Sequence, residues 1–101
     1  MTHAAAIVTF KAKAGSGDQV AQLIADALPQ AMDETAMPIW LVLQSETNPD
    51  VVHIVDVFQD ENGRNQHLQE AAAKKILTTV PGHLAEPLDL APMKVSAIKG
   101  L

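Results

Sequence analysis

Cysteine is absent from the 101 residues. That excludes a disulfide framework, a thiolate metal site and a cysteine nucleophile, and it suits a cytoplasmic protein. Aromatic residues are scarce, at 3% against a hydrophobic fraction of 48%, so alanine, leucine and valine must form most of the core. Basic residues are outnumbered, seven against twelve acidic, for a net charge of −5. Nucleic acid and anionic membrane are poor partners for such a chain, because phosphate contacts need clustered Lys and Arg. No apolar run approaches the roughly 20 residues of a membrane-spanning helix. The N-terminal run Ala4–Phe10 has no positive residue before it, so it reads as a buried first strand rather than a signal segment. The length has room for one domain, residues 1–101.

What is present is an ordered series of patterns. Residues 5–13 are β-branched or aromatic at their centre and read as a strand, broken by Gly15-Ser16-Gly17. From Asp18 the apolar residues Val20, Leu23, Ile24, Ala27, Leu28, Ala31 and Met32 follow the rhythm of one amphipathic helix lasting to about Thr35. Pro29 should bend it by removing a hydrogen bond. Strands are predicted over 39–45 and 51–58, joined by a turn containing Asn48-Pro49-Asp50. Asp60 can cap a second helix that carries His67, Leu68 and Ala71 on one face, with helix continuing over 72–79. A last strand is predicted over 88–99, weakened by Pro92.

The order β-α-β-β-α-β, with right-handed crossovers, gives an α+β, ferredoxin-like fold: an antiparallel four-stranded sheet with both helices on one face. In the third strand Val51, His53, Val55 and Val57 face one way, and Val52, Ile54, Asp56 and Phe58 the other. Both faces are mostly apolar. Since the helices cover only one, a homodimer whose sheets face each other is expected.

Several chemistries fail on spacing. Gly15-x-Gly17 would begin a dinucleotide fingerprint, but its third glycine position holds Val20. The histidines His3, His53, His67 and His83 show no metal-ligand pairing, and there is no serine nucleophile elbow. What remains is a group around the third strand and second helix: His53, Asp56, Phe58 and His67, with Trp40 on the neighbouring strand. A neutral histidine beside a carboxylate in an apolar cavity is a workable proton acceptor near neutral pH. Trp40 and Phe58 offer flat surfaces to a planar ligand. The structural alternative stands beside this one: His53 as a satisfied core residue, and His67 as an anchor between helix and strand.

The stretch from Asn48 to Phe58, followed nine residues later by His67-Leu68, resembles the signature of the antibiotic biosynthesis monooxygenase family. That signature is a Pro-Asp turn, an apolar strand ending Glu-x-Trp, an acidic helix start and Ala-His-Leu. Leu84-Ala85-Glu86-Pro87-Leu88 is similar to the family's entry to its final strand. The resemblance spans nearly the whole chain. Departures are Asp56 for Glu, Phe58 for Trp, Pro38-Ile39-Trp40 for the usual Gly-Cys-x-x-Tyr region, and Arg64 where an apolar residue is common. Gly63 stands for an alanine and should loosen the helix start. Haem-degrading relatives carry an Asn on the first strand and a His where this chain has Leu77, so haem degradation is disfavoured.

The resemblance implies a dimeric α+β barrel with a pocket between sheet and helices. It implies oxidation of phenolic or anthrone-like polyketides, small aromatic substrates, by O₂ without a bound cofactor or metal. The base or hydrogen-bond donor would then be His67 or His53, Asp56 its orienting partner, and Trp40 and Phe58 the pocket walls. A non-catalytic ligand-binding or stress-response dimer, and an isomerase or decarboxylase on the same barrel, are the alternatives.

Overall fold

The apolar, β-branched run Val51–Phe58 is realised as one strand of a four-stranded antiparallel sheet in a computed structural model that describes residues 3–101. In chain order the elements are β1 (Ala4–Lys11), α1 (Gly17–Ala25), α2 (Leu28–Met32), β2 (Ile39–Gln44), β3 (Val51–Phe58), α3 (Glu61–His67), α4 (Ala71–Thr79), a 3₁₀ turn (Pro81–His83) and β4 (Asp89–Lys94). The sheet order β2-β3-β1-β4 is the ferredoxin-like arrangement. Each crossover skips one strand: α1 and α2 carry the chain from β1 to β2, and α3 and α4 carry it from β3 to β4.

Register sorts the side chains. On one face Ala4, Ala6, Val8 and Phe10 of β1 lie opposite Phe58, Asp56, Ile54 and Val52 of β3. These residues are buried, and all but Ala4 and Asp56 join Val20 and Ile24 of α1 and Ala72 and Ile76 of α4 in one apolar core. The other face is a band crossing all four strands, in which Leu41, Val55, Ile7 and Ala91 form one row and Ile39, Val57, Ala5 and Met93 the next. Among the described residues no helix packs into this band; Leu41 is 47% exposed, while Ala5 and Val57 are buried.

The helices depart from the expected pair. The single helix predicted to Thr35 is divided at Asp26-Ala27, where the Asp26 and Ala27 N–H groups close α1 onto the Gln22 and Ile24 carbonyls. Pro29 bends nothing; it lies in the first turn of α2, where a helix needs no N–H. The second helix also divides, between His67 and Ala71. The reason is phase: a 3.6-residue period continued from Gly63 and His67 would turn Lys74 into the core. The break resets the phase, so that Ala72, Ala73, Ile76 and Val80 are buried and Lys74 is exposed. His67 consequently parts from Ala71, which is exposed, while Leu68 stays beside it as a half-exposed side chain at the same cavity.

The final strand ends at Lys94 rather than Lys99. It accommodates Pro92 because it is an edge strand, where a missing N–H costs least. β1 ends at Lys11, with Ala12 forming an isolated bridge to Leu84. Among the described residues no helix is long and apolar enough to cross a membrane.

Candidate functional site

Asp56 is the charged residue that the core encloses. Its parity on β3 turns it under the helices, and it is 1% exposed. Two further polar groups reach it. α3 begins at Asp60, whose Oδ1 accepts from the Gly63 N–H at 2.9 Å. Gly63 does not loosen this turn: without a Cβ it lets α3 close on Ala36, where a methyl group would stand 3.2 Å from the Ala36 Cβ. The Gln59 N–H donates to the Ala36 carbonyl at 2.9 Å. The segment after α2 is thus clamped against the start of α3, which brings Glu34 to the last residue of that helix, His67.

The result is an imidazole between two carboxylates. His67 Nδ1 donates to Glu34 Oε2 at 2.7 Å, and His67 Nε2 lies 3.5 Å from Asp56 Oδ2. The His67 side chain is 13% exposed and that of Glu34 7%. The Phe58 ring packs at 5.2 Å from the His67 ring, tilted by 55°. Burial pushes the Asp56 carboxyl up to about 6; His67 draws it back down and Glu34 adds to the rise. The geometry agrees with that shift, since Asp56 Oδ1 and Glu34 Oε1 are buried and accept no hydrogen bond among the described residues. One proton moving between Asp56 Oδ2 and His67 Nε2 would be held in place by Glu34 from the far side of the ring. Among the described residues no group of three or more His, Asp or Glu side chains is placed to hold a metal ion.

This group forms the polar part of an otherwise apolar cavity of about 330 Å³, walled by Ala6, Val8, Phe58, Leu68, Leu90 and Pro92. Asp56, Arg64, Asn65 and His67 supply its polar atoms. A smaller hollow of about 40 Å³ extends from Asp56 and His67 between Phe10, Ile54 and Ile76.

The sequence-predicted residues are divided by the sheet. Asp56, Phe58 and His67 come together at the cavity. His53 does not join them; it lies on the opposite face, half-buried, with Nδ1 3.1 Å from the Thr9 hydroxyl. The sheet thickness separates it from the cavity, and as a base for a ligand bound there it is excluded. Trp40 is on the helix-facing side, level with Asp56, and packs against the core. Its indole N–H is buried without a partner among the described residues, and it is not part of the cavity wall.

Two residues at the site were not anticipated from spacing. Glu34 carries no local signal, being 33 residues from the histidine it holds. Arg64 did leave one, a charge at a position where an apolar residue is common, three places before His67. The Gly15-x-Gly17 loop is also explained: Asp50 accepts from the Gly15 N–H at 3.1 Å and the Gly17 N–H at 2.9 Å. Its anion-binding groups are taken by the chain's own carboxylate.

No family model matches the chain, and no curated protein sequence does. Solved structures do. A protein of unknown function from Nitrosomonas europaea is 30% identical, with a TM-score of 0.89 over 100% of this chain and 96% of that one. A second Nitrosomonas europaea protein, provisionally described as an antibiotic biosynthesis monooxygenase, is 17% identical, with a TM-score of 0.85 over 97% of this chain and 94% of that one. A structure described as an antibiotic biosynthesis monooxygenase is 12% identical, with a TM-score of 0.80 over 93% of this chain and 99% of that one.

Proposed function

Because the chain belongs to the same family as the Nitrosomonas europaea protein of unknown function and has the antibiotic biosynthesis monooxygenase fold, we propose that it is a cofactor-independent monooxygenase. Its substrate is a small aromatic compound of the phenol or anthrone kind. The observation that carries this reading is His67, held between two buried carboxylates at the wall of an apolar cavity.

Oxygen reacts slowly with closed-shell organic molecules and faster with electron-rich anions, so the protein's task is to make an anion and shelter it. The acidic proton of the substrate passes to the His67–Asp56 pair. Glu34 fixes the ring through Nδ1–H and leaves Nε2 to exchange that proton with Asp56. Buried Val8 and Phe58 form an apolar wall beside the carbanion, with Leu68 and Leu90 half-exposed at its rim, while O₂ adds to it. For a ring CH₂ the balance closes without another reductant. Substrate carbon gives up four electrons, one oxygen atom becomes its carbonyl oxygen, and the second leaves as water with the two hydrogens.

The working unit is a homodimer joined through the open apolar faces of the two sheets, the face that carries Leu41, Val55 and Ile7. An oxygen electrode with a panel of anthrones and hydroquinones tests the activity. The expected result is uptake of one O₂ per anthrone converted to its anthraquinone. Conversion without oxygen uptake overturns the oxygenase and assigns the same acid–base groups to an isomerase or decarboxylase.

A further inference from the structure

We propose that the cavity is selective for an acidic substrate, one carrying a carboxylate apart from its reacting ring, and that Arg64 is the group that recognises it. This rests on the reading above for the identity of the reacting end, His67 and Asp56. Arg64 and His67 are three residues apart on α3, so their side chains leave the helix on one face and both line the cavity. Arg64 is not a loose surface cation. Its Nη1 donates to the Ala5 carbonyl at 3.1 Å and the Met93 carbonyl at 3.2 Å, which fixes the guanidinium at the seam of β1 and β4.

A guanidinium has five N–H donors in a rigid fork. With Nη1 committed to the two carbonyls, the Nη2 and Nε donors are left for another acceptor. None of the ion pairs among the described residues includes Arg64. A fixed cation with spare donors, set in an apolar wall, fits a carboxylate, which the fork can take with two parallel bonds.

The charges also set the orientation. The far end of the site holds Glu34 and Asp56, which repel an anion, while Arg64 attracts one. A carboxylate therefore lies at Arg64 and the uncharged, proton-giving part of the molecule lies at His67. A second hollow of about 310 Å³ on the other side of Arg64, bounded by Lys94 and Glu61, gives the carboxylate access to solvent. The cavity of about 330 Å³ is near the lower end of the roughly 300–1,000 Å³ usual for ligand sites. Up to three fused rings fit that volume.

Calorimetric binding of a hydroxynaphthoic acid and of its methyl ester at neutral pH tests the proposal, since the pair share the ring system and differ in the charge and one methyl group. The expected result is that the wild-type protein binds the acid about tenfold or more tightly than the ester. Arg64→Gln should abolish that preference with the ester's affinity held, and His67→Gln should keep it. If Arg64→Gln fails to fold, Arg64→Lys decides: it keeps the charge and loses the fork, and should retain a reduced preference. Equal affinity for acid and ester, binding of neither, or a preference that survives Arg64→Gln overturns the proposal. Absence of the preference in the wild-type protein, with its oxygen uptake intact on uncharged anthrones, refutes the acid selectivity alone. Absence of oxygen uptake with the preference intact refutes the oxygenase reading alone.

Discussion

The two faces of the sheet carry one histidine site each, and they differ in what surrounds the ring. On the open face His53 has a hydroxyl neighbour, Thr9, in a band of half-exposed aliphatic side chains. Under the helices His67 has a carboxylate at each nitrogen and is largely shielded from solvent, its side chain 13% exposed. An imidazole beside a hydroxyl can exchange its proton with solvent. An imidazole between buried carboxylates must exchange it with them or with a ligand. Burial and neighbours, rather than residue type, make one of the two a candidate for chemistry.

The sharpest way to break this comparison is to replace each ring. His67→Gln should lower turnover on a confirmed substrate by about 10²- to 10⁴-fold, the usual worth of a positioned proton acceptor, whereas His53→Gln should leave it within a few-fold of wild type. Equal losses in the two variants would remove the distinction. A second break targets the open face itself. Leu41→Asp places a charge in the band between the sheets, and a two-fold interface contains each substitution twice. Sedimentation of this variant should give the 10.8 kDa monomer, against twice that mass for the wild type; a wild-type monomer would end the dimer reading.

Asp56 sharpens the contrast through pH. Its carboxyl titrates at about 6 in the folded chain against an ordinary value of 3.8, so between those values the folded state holds the proton more tightly than the unfolded one. The contribution of Asp56 to stability is therefore most favourable below about pH 4, falls as pH rises toward 6 and stays lowered above it. Asp56→Asn, which mimics the protonated form, should raise stability by roughly 2–3 kcal/mol above pH 6 and by almost nothing below pH 4. The same variant should lose the rise in kcat/KM with pH that proton acceptance by the pair predicts. Denaturant melts at the two pH values and a pH–rate profile measure both. The smallest effect belongs to the outer face: Thr9→Val removes one half-buried hydrogen bond and should cost about 1 kcal/mol or less, with turnover unchanged.

The bounds of β3 were legible because a run rich in β-branched residues stands between the Asn48-Pro49-Asp50 turn and the polar stretch after Phe58. Its parity was legible too, and it already separated His53 from Asp56, since residues three apart on a strand point to opposite faces. Grouping them by nearness along the chain overrode that. The helix divisions were hidden because the apolar rhythm runs on across Asp26-Ala27, and because the phase of α4 is set by which side chains the core accepts. Glu34 was hidden for a stronger reason. It follows α2 in a segment without periodic pattern, and only packing across Gly63 and Ala36 brings it to His67. Such a contact exists in three dimensions and leaves no local mark.

The clasp that Asp50 makes on Gly15 and Gly17 has a kinetic consequence. β2 and β3 adjoin in sequence and can pair early, whereas the clasp closes loops of 33 and 35 residues. Its partners meet only once β1 has docked beside β3, since the Gly17 backbone must fit directly beneath the Pro49 carbonyl with no room for a Cβ. Contacts of that sequence separation form late. The clasp is thus a latch rather than a nucleus: Asp50→Ala should speed unfolding and leave the refolding rate almost unchanged, which the two arms of a chevron plot would separate.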